Sequence, residues 1–127
     1  AGGSRHGDKG YFVEPTVLVN TNEKMKVVQE EIFGPVVTAI PFSDPAELVT
    51  QANNSVYGLA AGIWTRDIQK AHRLASQLRA GTVWINCYNI FDAALPFGGY
   101  KQSGWGREMG HEVLEQYTEV KAVCAAL

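Results

Sequence analysis

The sequence predicts an α/β fold in which a parallel sheet is covered by helices on both faces. Short, apolar, β-branched segments alternate along the chain with amphipathic helical segments, and the strand segments are apolar almost throughout. Near-continuous apolar runs are typical of parallel strands that are buried on both faces. The 127 residues are enough for one domain, and a chain of this size is expected to bury roughly two thirds of its unfolded surface in a single core.

The N-terminal part of the chain is expected to contain two strands and one capped helix. The strands are predicted over 15–19 and 36–42, and a brief amphipathic turn over 25–31 separates them. Asp44 has the features of an N-cap residue, because proline occupies the first helical position and a glutamate follows three residues after the cap. The helix is expected to bury Leu48, Val49 and Ala52.

The next part of the chain repeats the order strand, helix, strand. Strands are predicted over 59–65 and 82–86. Between them, helical periodicity predicts an amphipathic helix that Gly81 is expected to end in the left-handed conformation. The apolar stripe of this helix consists of Ile68, Ala71, Leu74, Ala75 and Leu78.

A long segment without clear periodicity, 87–106, interrupts this alternation. Segments of that length in a compact domain are usually functional or disordered, and the aromatic content here favours a binding loop. After it, a helix is predicted over 109–117, and a β-prone strand over 120–125 is expected to dock on the edge of its own sheet or of a partner's. The aromatic residues of the loop are Tyr88, Phe91, Phe97, Tyr100 and Trp105.

The composition excludes several classes of partner. A formal net charge of -2 gives no basic field for nucleic acid or lipid headgroups, and 46% hydrophobic with 19% charged residues is typical of a soluble chain without a membrane span. Only Cys87 and Cys124 are present, too few for a disulfide framework, so a cytoplasmic setting is expected. No histidine spacing predicts a metal site.

The glycines and the cysteines do not match common catalytic motifs. The glycines of 98–106 fit neither the P-loop spacing nor the GxGxxG dinucleotide pattern. Cys87 could act as the nucleophile of an independent cysteine hydrolase, with His72 or His111 as base. The simpler interpretation of Cys87 is a buried thiol at a strand end.

Two glycine-containing loops place aromatic rings beside carboxylates. The first is QEEIFGPV at 29–36, and the second is PFGGYKQSGWGRE at 96–108. This combination suits a flat heteroaromatic cofactor that carries hydroxyl groups, because a ring packs on an aromatic side chain while an acid accepts hydrogen bonds from sugar hydroxyls.

With these loops, the sequence resembles the C-terminal portion of an NAD(P)-dependent aldehyde dehydrogenase. The resemblance implies that 1–117 is the C-terminal part of the family's catalytic domain and that 118–127 is an oligomerisation strand reaching a neighbouring subunit. The chain lacks an initiating methionine, so we expect a piece of a longer protein. The segments that match, in the family's order, are GYFVEPT (10–16), EEIFGPV (30–36), ANNSVYGL (52–59), AGTVWIN (80–86), the loop of 96–108 and YTEVK (117–121).

The resemblance implies cofactor contacts in the first loop. Glu31 matches the acid that holds the ribose hydroxyls on the nicotinamide side, and Phe33 matches the aromatic residue that packs near the nicotinamide ring. The alternatives are a structural acid for Glu31 and a plain core ring for Phe33. The cofactor implied is NAD or NADP, with NAD preferred.

The resemblance also implies a substrate channel in the long loop. Asn89, Phe91 and Phe97 match positions that line the aldehyde channel, and an aromatic lining favours aromatic or apolar aldehydes of the phenylacetaldehyde type. Phe91 and Phe97 could equally be packing residues. Glu108 matches an acid that relays protons in some members of the family, and a purely structural acid near a helix N-terminus is the other interpretation.

The family oxidises an aldehyde to the carboxylic acid by thiolate attack, hydride transfer to NAD(P) and hydrolysis. The family's motifs for the nucleophilic cysteine and the general-base glutamate are absent from this sequence. The resemblance therefore implies a chain that is inactive alone, within a parent enzyme that forms a homo-oligomer through 118–127. The alternative is a non-catalytic interaction module that pairs with full-length subunits through its terminal strand.

Overall fold

The structure, a computed structural model, describes residues 1–127 and divides between Asn54 and Ser55 into two units. Both units contain a pair of parallel strands with a helix near them in sequence. The predicted mixed α/β class with parallel strands is confirmed. No helix combines the length and the apolar character needed to cross a bilayer.

The first unit contains strands β1 (Thr16–Leu18) and β2 (Val36–Thr38) and helices α1 (Lys26–Gln29) and α2 (Pro45–Asn53). The strands pair in parallel, with Thr16 opposite Val36. Both are shorter than the sequence predicts, because pairing covers only these residues.

The start of α2 confirms the predicted cap. The Asp44 carboxylate accepts hydrogen bonds from the backbone N–H groups of Ala46 and Glu47 at 2.7 and 3.0 Å. The Glu47 carboxylate in turn accepts from the backbone N–H of Ser43 at 2.8 Å. Three backbone N–H groups at the helix start are thereby satisfied by the side chains of the cap residue and of the first turn.

The second unit contains two pairs of strands and two helices. Strands β4 (Ala60–Ile63) and β5 (Thr82–Ile85) pair in parallel, and helix α3 (Ile68–Gln77) connects them and packs on β4. Two short strands, β3 (Tyr57–Gly58) and β6 (Tyr100–Lys101), pair antiparallel, and α4 (Val113–Gln116) follows. The buried apolar side chains of this unit are Ile63, Ala71, Leu74 and Trp84.

The role predicted for Gly81 is wrong. Helix α3 ends at Gln77 with Leu78 as its C-cap, and Gly81 is not among the residues in the left-handed conformation. A Cβ at Gly81 would instead overlap the carbonyl oxygen of Gly98. Gly81 is therefore required by a close crossing of two backbone segments that are distant in sequence.

The terminal strand predicted over 120–125 is not formed in the single chain. Residues 118–127 have no regular secondary structure, and Val120, Val123 and Leu127 are fully or largely exposed. A strand gains its hydrogen bonds only from a neighbouring strand, and this segment pairs with none within the chain. Pairing with a second chain remains a prediction.

The prediction of a single core that buries two thirds of the unfolded surface is also wrong. The chain has an accessible surface of 10389 Å² at a mass of 13.9 kDa, whereas a compact monomer of that mass exposes roughly 6,700 Å². Only about half of the unfolded surface is removed from water. The burial predicted for α2 is wrong, because Leu48 and Val49 are only half-buried and Ala52 is exposed. On α3, Ile68 is 58% exposed.

Candidate functional site

The loop between α1 and β2 presents a carboxylate and an aromatic ring without partners. The Phe33 ring is 93% exposed, and the adjacent Glu31 is exposed as well. The neighbouring acid, Glu30, forms an ion pair with Lys26 at 3.8 Å, and Glu31 does not. The interpretation of Phe33 as a core ring does not hold in this chain, because almost the whole side chain faces solvent.

Short backbone hydrogen bonds hold the base of this loop. The N–H of Gly34 donates to the carbonyl of Ile32, and the N–H of Val36 donates to the carbonyl of Gly34, both at 2.8 Å. The carbonyl of Pro35 accepts from Thr16 on β1 at 2.8 Å. The turn is thus fixed to the parallel strand pair through Pro35.

The open face of the loop has room for a flat group. A Cβ placed on Gly34 would meet no atom within 4 Å. The space beside Gly34 is therefore open, and the exposed Glu31 carboxylate keeps its acceptor sites available for hydroxyl groups. An exposed aromatic ring and an exposed carboxylate on one loop have the chemistry that a nicotinamide riboside requires, and contact with such a group remains a prediction.

A row of aromatic rings in the second unit starts at β5 and continues along the long loop. The rings of Trp84 and Phe91 meet edge to face, with centroids 5.7 Å apart. The rings of Phe91 and Phe97 also meet edge to face, at 5.1 Å. Tyr88 packs on the opposite side of Trp84 at 5.0 Å. Such contacts add about 0.5–1.5 kcal/mol each beyond the area that they bury.

The structure brings two of the three residues predicted to bind substrate into this row and leaves the third outside it. Phe91 and Phe97 contact each other, whereas the side chain of Asn89 is exposed and joins no ring contact. Asn89 has a φ of 60°, in the left-handed region where asparagine is tolerated better than most residues. Its position on the loop is therefore consistent with a turn residue.

Phe97 and Glu108 face one another across an isolated antiparallel bridge. Each backbone N–H donates to the other's carbonyl at 2.7 Å. Directly opposed residues of an antiparallel pair project their side chains to the same face. Both residues border an open cavity of about 290 Å³, to which Trp105, Arg107 and Gln116 also contribute.

An arginine that the sequence analysis did not single out supports the glycine-rich segment beside this cavity. The Arg107 guanidinium donates from one nitrogen to the carbonyl of Gly99 at 3.0 Å and to the carbonyl of Gly106 at 2.6 Å. It also lies over the Tyr100 ring, 5.3 Å from the centroid. The local sequence did not indicate this role, because an arginine after a glycine is usually a surface residue. Its contact with Gly99 becomes visible only in the folded chain.

Two further residues at the end of β5 were missed for the same reason. The Trp84 indole N–H donates to the carbonyl of Ile90 at 2.8 Å. The Asn86 side-chain amide pairs with the backbone of Thr65 through two hydrogen bonds of 2.9 Å. The only local indication of these hydrogen bonds was the position of Trp84 and Asn86 at the end of a predicted strand.

Cys87 shows no features of an activated nucleophile. Its thiol is free and half-buried, and it forms no hydrogen bond with His72 or His111. No group of three or more histidine, cysteine, aspartate or glutamate side chains lies close enough together to hold a metal ion.

The aldehyde dehydrogenase family model matches residues 1–123. The chain belongs to the aldehyde dehydrogenase family. The resemblance inferred from the sequence motifs is thereby confirmed over nearly the whole chain.

Individual aldehyde dehydrogenases match at high identity but extend far beyond this chain. The structure of the NAD+ complex of an aldehyde dehydrogenase from Bacillus cereus superposes with a TM-score of 0.91 at 58% identity, covering 97% of this chain and 25% of that chain. An aldehyde dehydrogenase of Agaricus bisporus is 56% identical over 96% of this chain and 24% of its own length. A mitochondrial benzaldehyde dehydrogenase of Antirrhinum majus is 52% identical over 99% of this chain and 24% of its own length. The chain thus spans about a quarter of these aldehyde dehydrogenases.

The specific roles inferred for Glu31, Phe33, Asn89, Phe91, Phe97 and Glu108 remain predictions.

Proposed function

We propose that this chain is part of an NAD-dependent aldehyde dehydrogenase that oxidises an aromatic or apolar aldehyde to the carboxylic acid. The chain contributes the contacts to the nicotinamide riboside and one wall of the substrate channel, and it is inactive alone. One observation carries the proposal: the same anchored loop of this family member exposes a carboxylate without an ion-pair partner, Glu31, and an aromatic ring that is 93% exposed, Phe33.

The cofactor contacts follow from the geometry of this loop. The Glu31 carboxylate accepts hydrogen bonds from the ribose hydroxyls, a charge-assisted interaction of about 1.5–3 kcal/mol. Phe33 packs against the nicotinamide ring and limits its orientation. When bound, the nicotinamide accepts the hydride released from the substrate carbon. NAD is preferred over NADP because the superposed Bacillus cereus enzyme is an NAD+ complex.

The substrate wall follows from the aromatic row. The edge-to-face packing of Phe91 and Phe97, with centroids 5.1 Å apart, presents an apolar surface beside the cavity at Glu108. Such a surface excludes water and favours aldehydes with an aromatic or aliphatic body. One relative, the Antirrhinum majus enzyme, is named for an aromatic aldehyde, which supports this substrate class.

Glu108 is the proposed proton relay. Its backbone is fixed opposite Phe97 by two hydrogen bonds of 2.7 Å, and its carboxylate is exposed at the same cavity. A carboxylate held there can accept a proton from one solvent molecule and pass it to another.

The parent enzyme is proposed to form a homo-oligomer through residues 118–127. The segment is exposed and free of regular structure, and it carries Val120 and Val123 at alternate sides of an extended chain. Adding it to a sheet edge of a second copy would satisfy its backbone groups. A cytoplasmic setting is a further proposal, supported by the free state of both cysteines.

The test of the proposed function compares two proteins. The full-length polypeptide that contains this chain is expected to form NADH from NAD and phenylacetaldehyde, followed by absorbance, and to form it more slowly from a charged aldehyde. The isolated 127 residues are expected to form none. NADH formation by the isolated chain that disappears in Cys87→Ser would reject the proposal of an inactive fragment, and absence of NADH formation by the full-length protein would reject the proposed reaction.

The same preparations test the alternative of an interaction module. That alternative predicts that the isolated chain co-purifies with full-length subunits and that removal of 118–127 abolishes the association. Co-purification together with an inactive full-length protein would favour the module over the enzyme.

A further inference from the structure

The end of β5 is joined to the end of β4 by a side chain as well as by backbone. The backbone N–H of Asn86 donates to the carbonyl of Ile63 at 2.8 Å. The Asn86 Oδ1 accepts from the N–H of Thr65 at 2.9 Å, and its Nδ2 donates to the carbonyl of Thr65 at 2.9 Å. The side-chain amide of Asn86 thus supplies one acceptor and one donor, as the backbone of a strand residue would. These bonds extend the contact between the two strands beyond their last backbone pair.

Asn86 is also the residue at which the chain turns away from the sheet. Its φ of 55° lies in the left-handed region, which redirects the backbone sharply after β5. Because the side chain of the turning residue is itself held at two points, the direction in which the loop leaves the sheet is fixed by the same residue that makes the turn.

The aromatic row begins immediately after this turn. The Tyr88 ring, two residues on, packs against Trp84 at 5.0 Å and against Trp64 at 6.2 Å. The Trp84 indole then donates to the carbonyl of Ile90 at 2.8 Å, next to Phe91. A change in the direction of the chain at Asn86 is therefore expected to displace the rings of Tyr88 and Phe91, because only a few residues separate them from the turn.

We propose that Asn86 is a positioning residue for the aromatic wall formed by Phe91 and Phe97. It touches neither cofactor nor substrate, and it acts by fixing the exit of the loop from the sheet. This inference rests on the proposed function, in which that wall selects the aldehyde.

The test uses the full-length polypeptide and three variants. Asn86→Gly keeps the left-handed turn without strain and removes both side-chain hydrogen bonds. Asn86→Asp keeps an acceptor for the N–H of Thr65 but places a second oxygen against the carbonyl of Thr65. Asn20→Gly is the matched control, since Asn20 has a φ of 58°, is exposed, and forms no side-chain hydrogen bond.

Two measurements separate positioning from general stability. In Asn86→Gly, amide hydrogen exchange over residues 88–95 is expected to accelerate by about tenfold, with the rest of the protein unchanged, since two hydrogen bonds are lost. The KM for phenylacetaldehyde is expected to rise by about tenfold while the KM values for acetaldehyde and NAD and the kcat stay within about twofold. Asn86→Asp is expected to show smaller changes of the same kind, and Asn20→Gly none.

The results for the Asn86 variants and for the wild type lead to different conclusions. Unchanged exchange over 88–95 in both Asn86 variants, or KM values that rise equally for the bulky and the small aldehyde, would overturn the positioning role. If the wild-type protein oxidises neither aldehyde, the proposed function fails, and the exchange measurement alone then decides whether Asn86 fixes the loop. If Asn86→Gly does not fold, the exchange pattern of Asn86→Asp decides the question.

Discussion

Phe97 and Glu108 hold each other in place through their backbones, with each N–H donating to the other's carbonyl at 2.7 Å. The pairing ties an aromatic residue of the proposed substrate wall to the proposed proton relay. A displacement of either residue therefore alters the position of the other.

This pairing leads to a prediction for Glu108→Gln. The side chain of Glu108 is exposed and the pairing uses only backbone atoms, so stability is expected to stay within about 0.5 kcal/mol. The kcat of the full-length enzyme is expected to fall by about tenfold or more, because an amide cannot accept and pass on a proton at neutral pH. Steady-state kinetics measures this effect, and Glu115→Gln, an exposed acid on α4, is the control. Equal activity in the two variants would assign Glu108 a purely structural role.

The cofactor loop offers a comparison of adjacent acids. Glu31→Gln is expected to raise the KM for NAD by about tenfold, since a neutral amide loses a charge-assisted hydrogen bond to a hydroxyl. Glu30→Gln is the control, because Glu30 already pairs with Lys26 at 3.8 Å and surface pairs of this kind contribute little. A larger effect from Glu30 than from Glu31 would contradict the proposed ribose contact.

The variant Phe33→Ala tests whether the ring contributes to NAD binding or to the stability of the fold. The ring is 93% exposed, so its removal is expected to leave the midpoint of thermal unfolding of the full-length protein almost unchanged if the cofactor is absent. In the presence of NAD, the variant is expected to lose part of the stabilisation that the ligand confers on the wild type. Tyr11→Ala, at a fully exposed aromatic residue of the same unit, is the control. A large loss of stability without NAD would show instead that Phe33 packs against another segment of the parent protein.

The crossing of Gly81 and Gly98 predicts a strong steric effect. Gly81→Ala places a Cβ on the carbonyl oxygen of Gly98, and overpacking against backbone is expected to cost about 3 kcal/mol or more of unfolding free energy. Gly34→Ala is the control for stability, since its Cβ would meet no atom within 4 Å. Chemical denaturation of the full-length protein measures both. Equal stabilities would mean that the two backbones separate at little cost.

The terminal segment predicts a change of assembly. Removal of 118–127 from the full-length protein is expected to lower its mass in solution to that of a smaller oligomer or a monomer, because the segment has no pairing partner within its own chain. Light scattering after size exclusion gives the mass directly. An unchanged mass would place the subunit contacts elsewhere.

The local features of this fold were predictable from sequence, and the nonlocal ones were not. The cap at Asp44 depends on neighbours two or three residues away and occurs as predicted. Of the predicted stripe on α3, Ala71 and Leu74 are buried, whereas Ile68 is 58% exposed and Leu78 follows the last residue of the helix. The function of Gly81 depends on Gly98, which is distant in sequence, so a local rule assigned it to the wrong role.

The same distinction applies to the candidate site. The motif around Glu31 and Phe33 identified a loop that the structure shows to be exposed and anchored. The contacts of Trp84 with Ile90 and of Asn86 with Thr65 could not be anticipated, because each joins side chains to backbone groups whose proximity is determined by the tertiary structure. Strand formation over 120–125 also depends on a nonlocal partner, and no segment of this chain pairs with it.

The close approach of Gly81 and Gly98 also limits where this protein can change its preference among aldehydes. A Cβ at Gly81 would overlap the carbonyl oxygen of Gly98, and a Cβ at Gly98 would crowd the carbonyl oxygen of Gly106. A substitution at either glycine therefore displaces the backbone that supports the wall before it changes the surface of the wall. The intervening positions 88–95 are exposed, and among them only Asn89, with a φ of 60°, has a backbone conformation that restricts the choice of residue. A library designed to change substrate choice should therefore diversify that interval and leave the crossing untouched.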